Sequence, residues 1–220
     1  MRLHPAPRDA SHARRRALHG AAATMLLFAS GLVRAQPMRA TPPNALGPFY
    51  PTQKPADRDA DLTQVTGRMR RAQGTILYVS GRVLDTRGMP QAGATLELWQ
   101  ANAFGRYVHP SDSDASGPLD PDFQGYATLR AGSDGAFRIK TIKPAAYAGR
   151  TPHIHFIVAG GRTRLTTQMF FEGEAGNERD GLYRSLGADD RQASTGRFID
   201  RAREAEDGSV AVVWDIVLPA

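Results

Sequence analysis

An all-β fold, an antiparallel β-sandwich with long loops and one or two short helices, is what this sequence predicts, on three observations. Short β-branched segments alternate apolar and polar residues along most of the chain. Clusters of Gly, Pro, Asn and Asp separate them, and only two brief stretches carry a helical pattern.

The elements follow in order. Residues 1–35 are predicted to be an export signal of twin-arginine type, cleaved after Ala35. Arg14, Arg15 and Arg16 precede an apolar run of 13 residues from Ala21 to Val33, and Val33, Arg34 and Ala35 make the cleavage site, although the Phe usual in a twin-arginine motif is missing. Crossing a bilayer takes ~20 apolar residues, so no stable membrane anchor is expected, and with no Cys a thiol-linked lipid has no attachment point. The expected location is therefore periplasmic or extracellular. Residues 36–74, rich in Pro and Asp, read as an irregular arm, and residues 75–220 as the sandwich. Thr75 to Asp85 is the first strand, ended by a turn at Thr86 to Pro90, and Ala94 to Trp99 is the second. Gly125 to Arg130 and Ala136 to Ile142 form a hairpin around Ser133, Asp134 and Gly135. His153 to Val158, Thr163 to Phe171 and Val210 to Leu218 complete the strands, and Asn177 to Leu186 and Asp189 to Ala193 are the helical stretches.

The net charge of +6 belongs mostly to the leader. Residues 1–35 hold six arginines and one Asp, which leaves 22 basic against 21 acidic groups and a net charge of +1. No Lys/Arg run interleaved with aromatics remains, which argues against a nucleic-acid partner. About 185 residues suffice for one domain with a core of its own. Without disulfides that core must supply the stability, helped by a metal or a subunit interface.

Two imidazoles and two phenols, His153, His155, Tyr107 and Tyr147, stand out as a set of metal donors. His153 and His155 flank Ile154 on a strand, so the period of two puts both on one face. A His-x-His pair by itself fits solvated surface histidines equally well. Only three histidines lie beyond residue 35, however, and two of them are here, between Pro152 and the apolar stretch Phe156 to Val158, where a buried imidazole needs a partner. Tyr107 and Tyr147 lie in loops, and each alone fits a packed or hydrogen-bonded tyrosine more readily than a ligand. A phenol with an ordinary pKa near ~10 loses its proton at neutral pH only beside a strongly Lewis-acidic ion, so a pair of tyrosinates points to Fe(3+). His109, two residues beyond Tyr107, is assigned to the surface or to a hydrogen bond behind the site.

Five stretches, Leu98 to Tyr107, Leu119 to Phe123, Thr141 to Pro144, Arg150 to Phe156 and Leu165 to Gly173, resemble the intradiol ring-cleavage dioxygenases, in order and over roughly Thr41 to Leu218. The resemblance implies a ferric centre held by Tyr107, Tyr147, His153 and His155, and a reaction in which a catechol and O2 give a muconate-type dicarboxylate. It further implies that Tyr147 leaves the metal when substrate chelates and then acts as a base. Arg150 would stabilise negative charge on the activated ring, with Gln168 beside it and Trp99 near the pocket wall. Read from the residues alone, Arg150 and Gln168 fit a surface ion pair and a strand amide, and Trp99 fits core packing. Family members assemble through related subunits, so a homo-oligomer is an open expectation. The chain departs from the family in its short link, Ala148 and Gly149, between Tyr147 and Arg150, and in its export signal. Two other readings compete: a transthyretin-like extracytoplasmic binding module without catalysis, suited by Gly81 to Asp85 and Asp134 to Ile139, and a zinc hydrolase, for which two phenols are unusual ligands.

Overall fold

The computed structural model describes residues 37–113, 117–200, 206 and 208–219. The export segment predicted over residues 1–35 lies outside them. The described residues form nine strands: β1 Ile76–Asp85, β2 Thr95–Trp99, β3 Tyr126–Arg130, β4 Ala136–Ile142, β5 His153–Gly160, β6 Thr163–Phe171, β7 Thr195–Ile199, β8 Val210–Val213 and β9 Ile216–Leu218. Between β6 and β7 lie a 3-10 turn, Asn177–Arg179, and two short helices, α1 Gly181–Ser185 and α2 Ala188–Ser194.

The strands pair in the order β3-β2-β5-β6-β7-β8-β1-β4, with β9 also on β1. The half β3-β2-β5-β6 is antiparallel throughout. Among the described residues it pairs with the other half through Phe170 with Thr195 and Phe171 with Gly196. Inward side chains of the two halves, among them Leu98, Phe156 and Met169 from one and Val79, Ile139 and Val212 from the other, meet in a single buried cluster. This is an all-β sandwich, as expected, but it is not purely antiparallel. β6 with β7, β1 with β8 and β1 with β9 run parallel; for β6 and β7, a crossover through the helical segment returns the chain to the sheet in the same direction.

Three local expectations change. The stretch from Val210 to Leu218 is two strands, broken at Trp214 and Asp215 where Arg82 N donates to Asp215 Oδ1 at 2.8 Å. The first helical stretch is cut at Asp180, whose extended backbone ends the 3-10 turn while its carboxylate caps α1 by accepting from Leu182 N and Tyr183 N. β7 was not anticipated, since its five residues are mostly exposed and lack a clean alternation.

β5 places the site. Ile154, Phe156 and Val158 enter the core between the halves, whereas His153, His155 and Ile157 face outward. Register then aligns Tyr126, Trp99, His155 and Gln168 in one row across β3, β2, β5 and β6. The arm lies on this outer face: Asn44 N donates to Thr166 O at 2.9 Å, Gln168 Nε2 to Ala45 O at 2.9 Å, and Tyr50 Oη to Glu97 at 2.8 Å. Both faces of β5 are therefore covered, and six of its eight residues are buried.

Candidate metal centre

His153 Nδ1 donates to the Thr151 carbonyl at 2.6 Å, which leaves its Nε2 without a proton. That nitrogen faces His155 Nε2 at 3.1 Å and Tyr147 Oη at 3.5 Å. Both rings are buried, at 2 % and 1 % exposure. Trp99 stacks on His155, centroids 4.7 Å apart and planes 11° from parallel, and fixes the ring from behind.

Tyr107 comes to the same place from the loop after β2. Asn102 Oδ1 accepts from Phe104 N and Arg106 N, folding the loop back, and Asp112 accepts from Tyr107 N at 2.6 Å. Gly105 lets this loop touch the one that carries Tyr147: its φ is +78°, and a Cβ there would sit 2.7 Å from Ala146 O. The two phenol rings meet edge to face at 5.2 Å. The short link between Tyr147 and Arg150 is a hairpin turn. Ala148 and Gly149 have φ of +42° and +77°, and Arg150 N donates to Tyr147 O at 2.7 Å, so the side chains of Tyr147 and Arg150 are set side by side.

Arg150 is held on two sides. Its Nε donates to Asp180 at 2.8 Å and its Nη2 to Gln168 Oε1 at 2.6 Å, while Nη1 has no hydrogen-bond partner among the described residues. Asp180 is fully buried and also accepts from Thr151 N, so one carboxylate ties α1, Arg150 and the approach to His153 together. Burial raises its pKa, but the Tyr183 amide, Arg150 and Thr151 outweigh that and hold it below the ordinary value. Gln168 spends both ends of its amide on Arg150 and on Ala45 of the arm.

The donor chemistry fits a cation. Burial, then Arg150, pushes His153 down to about 4, and burial with His153 and Arg150 pushes His155 further below its usual range, so both imidazoles are neutral donors at pH 7. Burial foremost raises both phenols, Tyr107 strongly, so neither ionises without a positive charge at hand. Tyr107 Oη is buried with no hydrogen-bond partner among the described residues. The facing Nε2 atoms of His153 and His155, one half-buried phenol and one orphaned phenol converge, and His155 Nδ1 finds no hydrogen-bond partner among the described residues. Among the described residues no group of three or more His, Asp and Glu could hold a metal, so any ion here needs the phenols, which counts against a zinc hydrolase site.

The structure thus gathers Tyr107, Tyr147, His153 and His155, with Arg150 and Gln168 adjoining. His109 stays aside, accepting from Ser111 N and lying 5.8 Å from the Phe49 ring. Phe49, Asp180 and Thr151 were not anticipated. Phe49, on the arm, packs 4.8 Å from Tyr107 and 5.8 Å from Tyr147, and roofs the phenols. The one available hint was the Gly-Pro-Phe-Tyr run from Gly47 to Tyr50, too short and too common in composition to assign.

Fold and site together define a β-sandwich that carries a buried two-histidine, two-tyrosine centre on its outer face. A family model described as Dioxygenase matches residues 46–220. The chain is 36 % identical over 181 residues to the protocatechuate 3,4-dioxygenase beta chain of Burkholderia cepacia, covering 78 % of this chain and 76 % of that one. It is 32 % identical to a hydroxyquinol 1,2-dioxygenase of a Rhizobium species, but spans only 49 % of that relative's length. The dioxygenase domain of a carbohydrate-binding fusion from Streptomyces sp. SirexAA-E superposes with a TM-score of 0.63 at 29 % identity, over 83 % of this chain and 99 % of that one. The chain belongs to the intradiol ring-cleavage dioxygenase family, and a binding module without catalysis is set aside.

Proposed function

We propose that this protein is a non-haem iron(III) dioxygenase that cleaves a catechol-type ring between its two hydroxylated carbons and gives a muconate-type dicarboxylate. The observation that carries the reading is the orphaned, buried Tyr107 phenol gathered with Tyr147, His153 and His155 beside Arg150. The names of the relatives support the ring-cleaving chemistry.

His153, His155, Tyr107 and Tyr147 would hold Fe(3+), which when bound supplies Lewis acidity and the one-electron route that triplet O2 needs to react with a closed-shell ring. The two phenols differ in a way that suits different tasks. Tyr107 is 4 % exposed and pinned through its own backbone, whereas Tyr147 is half-buried on a two-residue turn. Tyr107 would stay in place, and Tyr147 would swing away and take a proton from a substrate hydroxyl. Arg150 offers a fixed positive charge where the ring becomes electron-rich, with its Nη1 edge toward the substrate side. Gln168 and Asp180 keep that guanidinium from rotating, and Phe49 and Trp99 shield the donors from water.

The turn between Tyr147 and Arg150 leaves that rim of the site open, which favours rings with substituents on that side. Export ahead of Gln36 extends the same reading: the Arg14 to Arg16 cluster and the apolar run from Ala21 to Val33 support an enzyme that meets its substrate outside the cytoplasm. The mass of the exported protein tests that extension, with a mature start at Gln36 expected. The metal reading is tested by colour. Protein loaded with one ferric ion should show a visible tyrosinate charge-transfer band that Tyr107→Phe shifts or removes; a colourless wild type that takes up no iron would sink it.

A further inference from the structure

Behind His153 the fold builds a bracket out of residues that are not themselves metal donors. The Thr151 carbonyl accepts from His153 Nδ1 at 2.6 Å, which fixes both the tautomer and the plane of the ring. It can do so only while the Thr151 peptide is itself held, and two tethers hold it. Thr151 N donates to Asp180 at 2.9 Å, and Thr151 Oγ1 donates to Asn177 Oδ1 at 3.0 Å.

The second tether is fully committed. Asn177 Nδ2 donates to Phe171 O at 2.8 Å, so its amide oxygen is the end left to accept from the threonine hydroxyl. Thr151 and Asn177 are both buried, so water does not compete for either bond. Phe171 ends β6, and its neighbour Phe170 is the register partner of His153. The bracket therefore runs from β6 through Asn177 and Thr151 to His153 and back to β6. Gly176 closes it from the side: a Cβ there would lie 2.7 Å from Thr151 Oγ1. Asp180 also serves Arg150, whereas among the described residues the Asn177 side chain bonds only Thr151 and Phe171. What the Asn177 side chain does to the centre by hydrogen bonding thus passes through Thr151.

We propose that Asn177 is a positioning residue for the metal centre: through the Thr151 hydroxyl it sets the carbonyl that keeps His153 protonated at Nδ1 and bare at Nε2. The use of this bracket rests on the iron(III) reading, but its effect on the His153 proton does not. Losing a partner behind a metal-bound histidine costs ~10–100-fold in metal affinity. If Asn177 served only to anchor its own turn on β6, removing the Thr151 hydroxyl would leave that anchor intact and the centre unchanged.

Asn177→Ala, Thr151→Val and Thr151→Ser in the full-length protein test this with two readouts. In the metal-free state, nitrogen-15 NMR should show His153 as the Nδ1–H tautomer in wild type and Thr151→Ser, and a mixture with Nε2–H in Asn177→Ala and Thr151→Val. In competition with ferric nitrilotriacetate, the alanine and valine variants should bind iron at least about tenfold more weakly, with the tyrosinate band moved to longer wavelength; Thr151→Ser, which keeps the hydroxyl, should match wild type. The double variant Thr151→Val with Asn177→Ala should be no weaker than either single one, because both cut the same tether. A wild type that binds no iron would sink the iron reading and leave the tautomer test standing. Wild-type tautomer, affinity and band in a folded Asn177→Ala or Thr151→Val, or no rescue by serine, would sink this inference alone. If one variant does not fold, as read from its thermal midpoint, the other decides; if neither folds, the metal-free wild type decides, and His153 found as the Nε2–H tautomer would overturn the proposal.

Discussion

The side chains at the centre act through what burial does to their protons. His153 and His155 are held neutral in the fold, whereas an unfolded histidine titrates near ~6.5. Below that value the unfolded chain binds protons that the fold refuses, so stability falls as pH drops. The metal-free protein should therefore lose thermal midpoint steadily between about pH 6.5, the unfolded histidine value, and about 4, the value for His153, and a midpoint flat across that window would contradict buried neutral imidazoles. Asp180→Asn removes the charge partner of Arg150 at a fully buried position. It should cost about 3 kcal/mol in chemical denaturation and lower kcat more than it raises KM, since Arg150 would lose its orientation rather than its charge. Which of these residues could be read beforehand follows from how each is placed. The histidine pair was legible because a strand has a period of two. The tyrosines were legible only through resemblance, since loops have no period. Asp180 and Phe49 were not legible, because their contacts with Arg150 and Tyr107 span 30 and 58 positions, respectively, and no local pattern encodes them.

Among the elements, the turn joining Tyr147 to Arg150 matters most. Ala148 holds a φ of +42°, a region that costs a residue with a Cβ of order 1 kcal/mol and a β-branched one more. Ala148→Gly should raise stability by about 1 kcal/mol without moving its neighbours. Ala148→Val should lower it by about 1–2 kcal/mol and depress turnover by displacing Tyr147 and Arg150 together; turnover unchanged in the valine variant would show that the turn does not position them. The short Ala148 and Gly149 link was visible in the sequence as a departure from relatives, but its consequence, two side chains placed abreast, needed the dihedral angles. The arm shows the opposite limit. Its Pro and Asp content announced irregular backbone, and among the described residues it is irregular apart from an isolated bridge between Asp61 and Lys140. Composition gave no sign that Glu97 would accept from both Tyr50 and Tyr126 while pairing with Lys54, and so fasten the arm over the site.

At the scale of the molecule, the two halves of the sheet close over one core and display the chemistry on an outer face. Closure depends on Gly81, where a Cβ would lie 1.8 Å from the Trp214 carbonyl oxygen, a backbone atom that cannot step aside. Gly81→Ala should cost more than about 3 kcal/mol or prevent folding, as read by denaturant titration. The all-β class was legible from turn spacing, whereas the parallel pairing of β1 with β8 and β9 was not, because strand order is settled by contacts more than a hundred residues apart. Whether this scaffold performs ring cleavage is decided most directly by the product. The iron-loaded protein given catechol under oxygen-18 gas should yield a muconate dicarboxylate that carries both labelled atoms. A semialdehyde from cleavage beside the hydroxylated carbons, a product with a single label, or intact catechol would contradict the account.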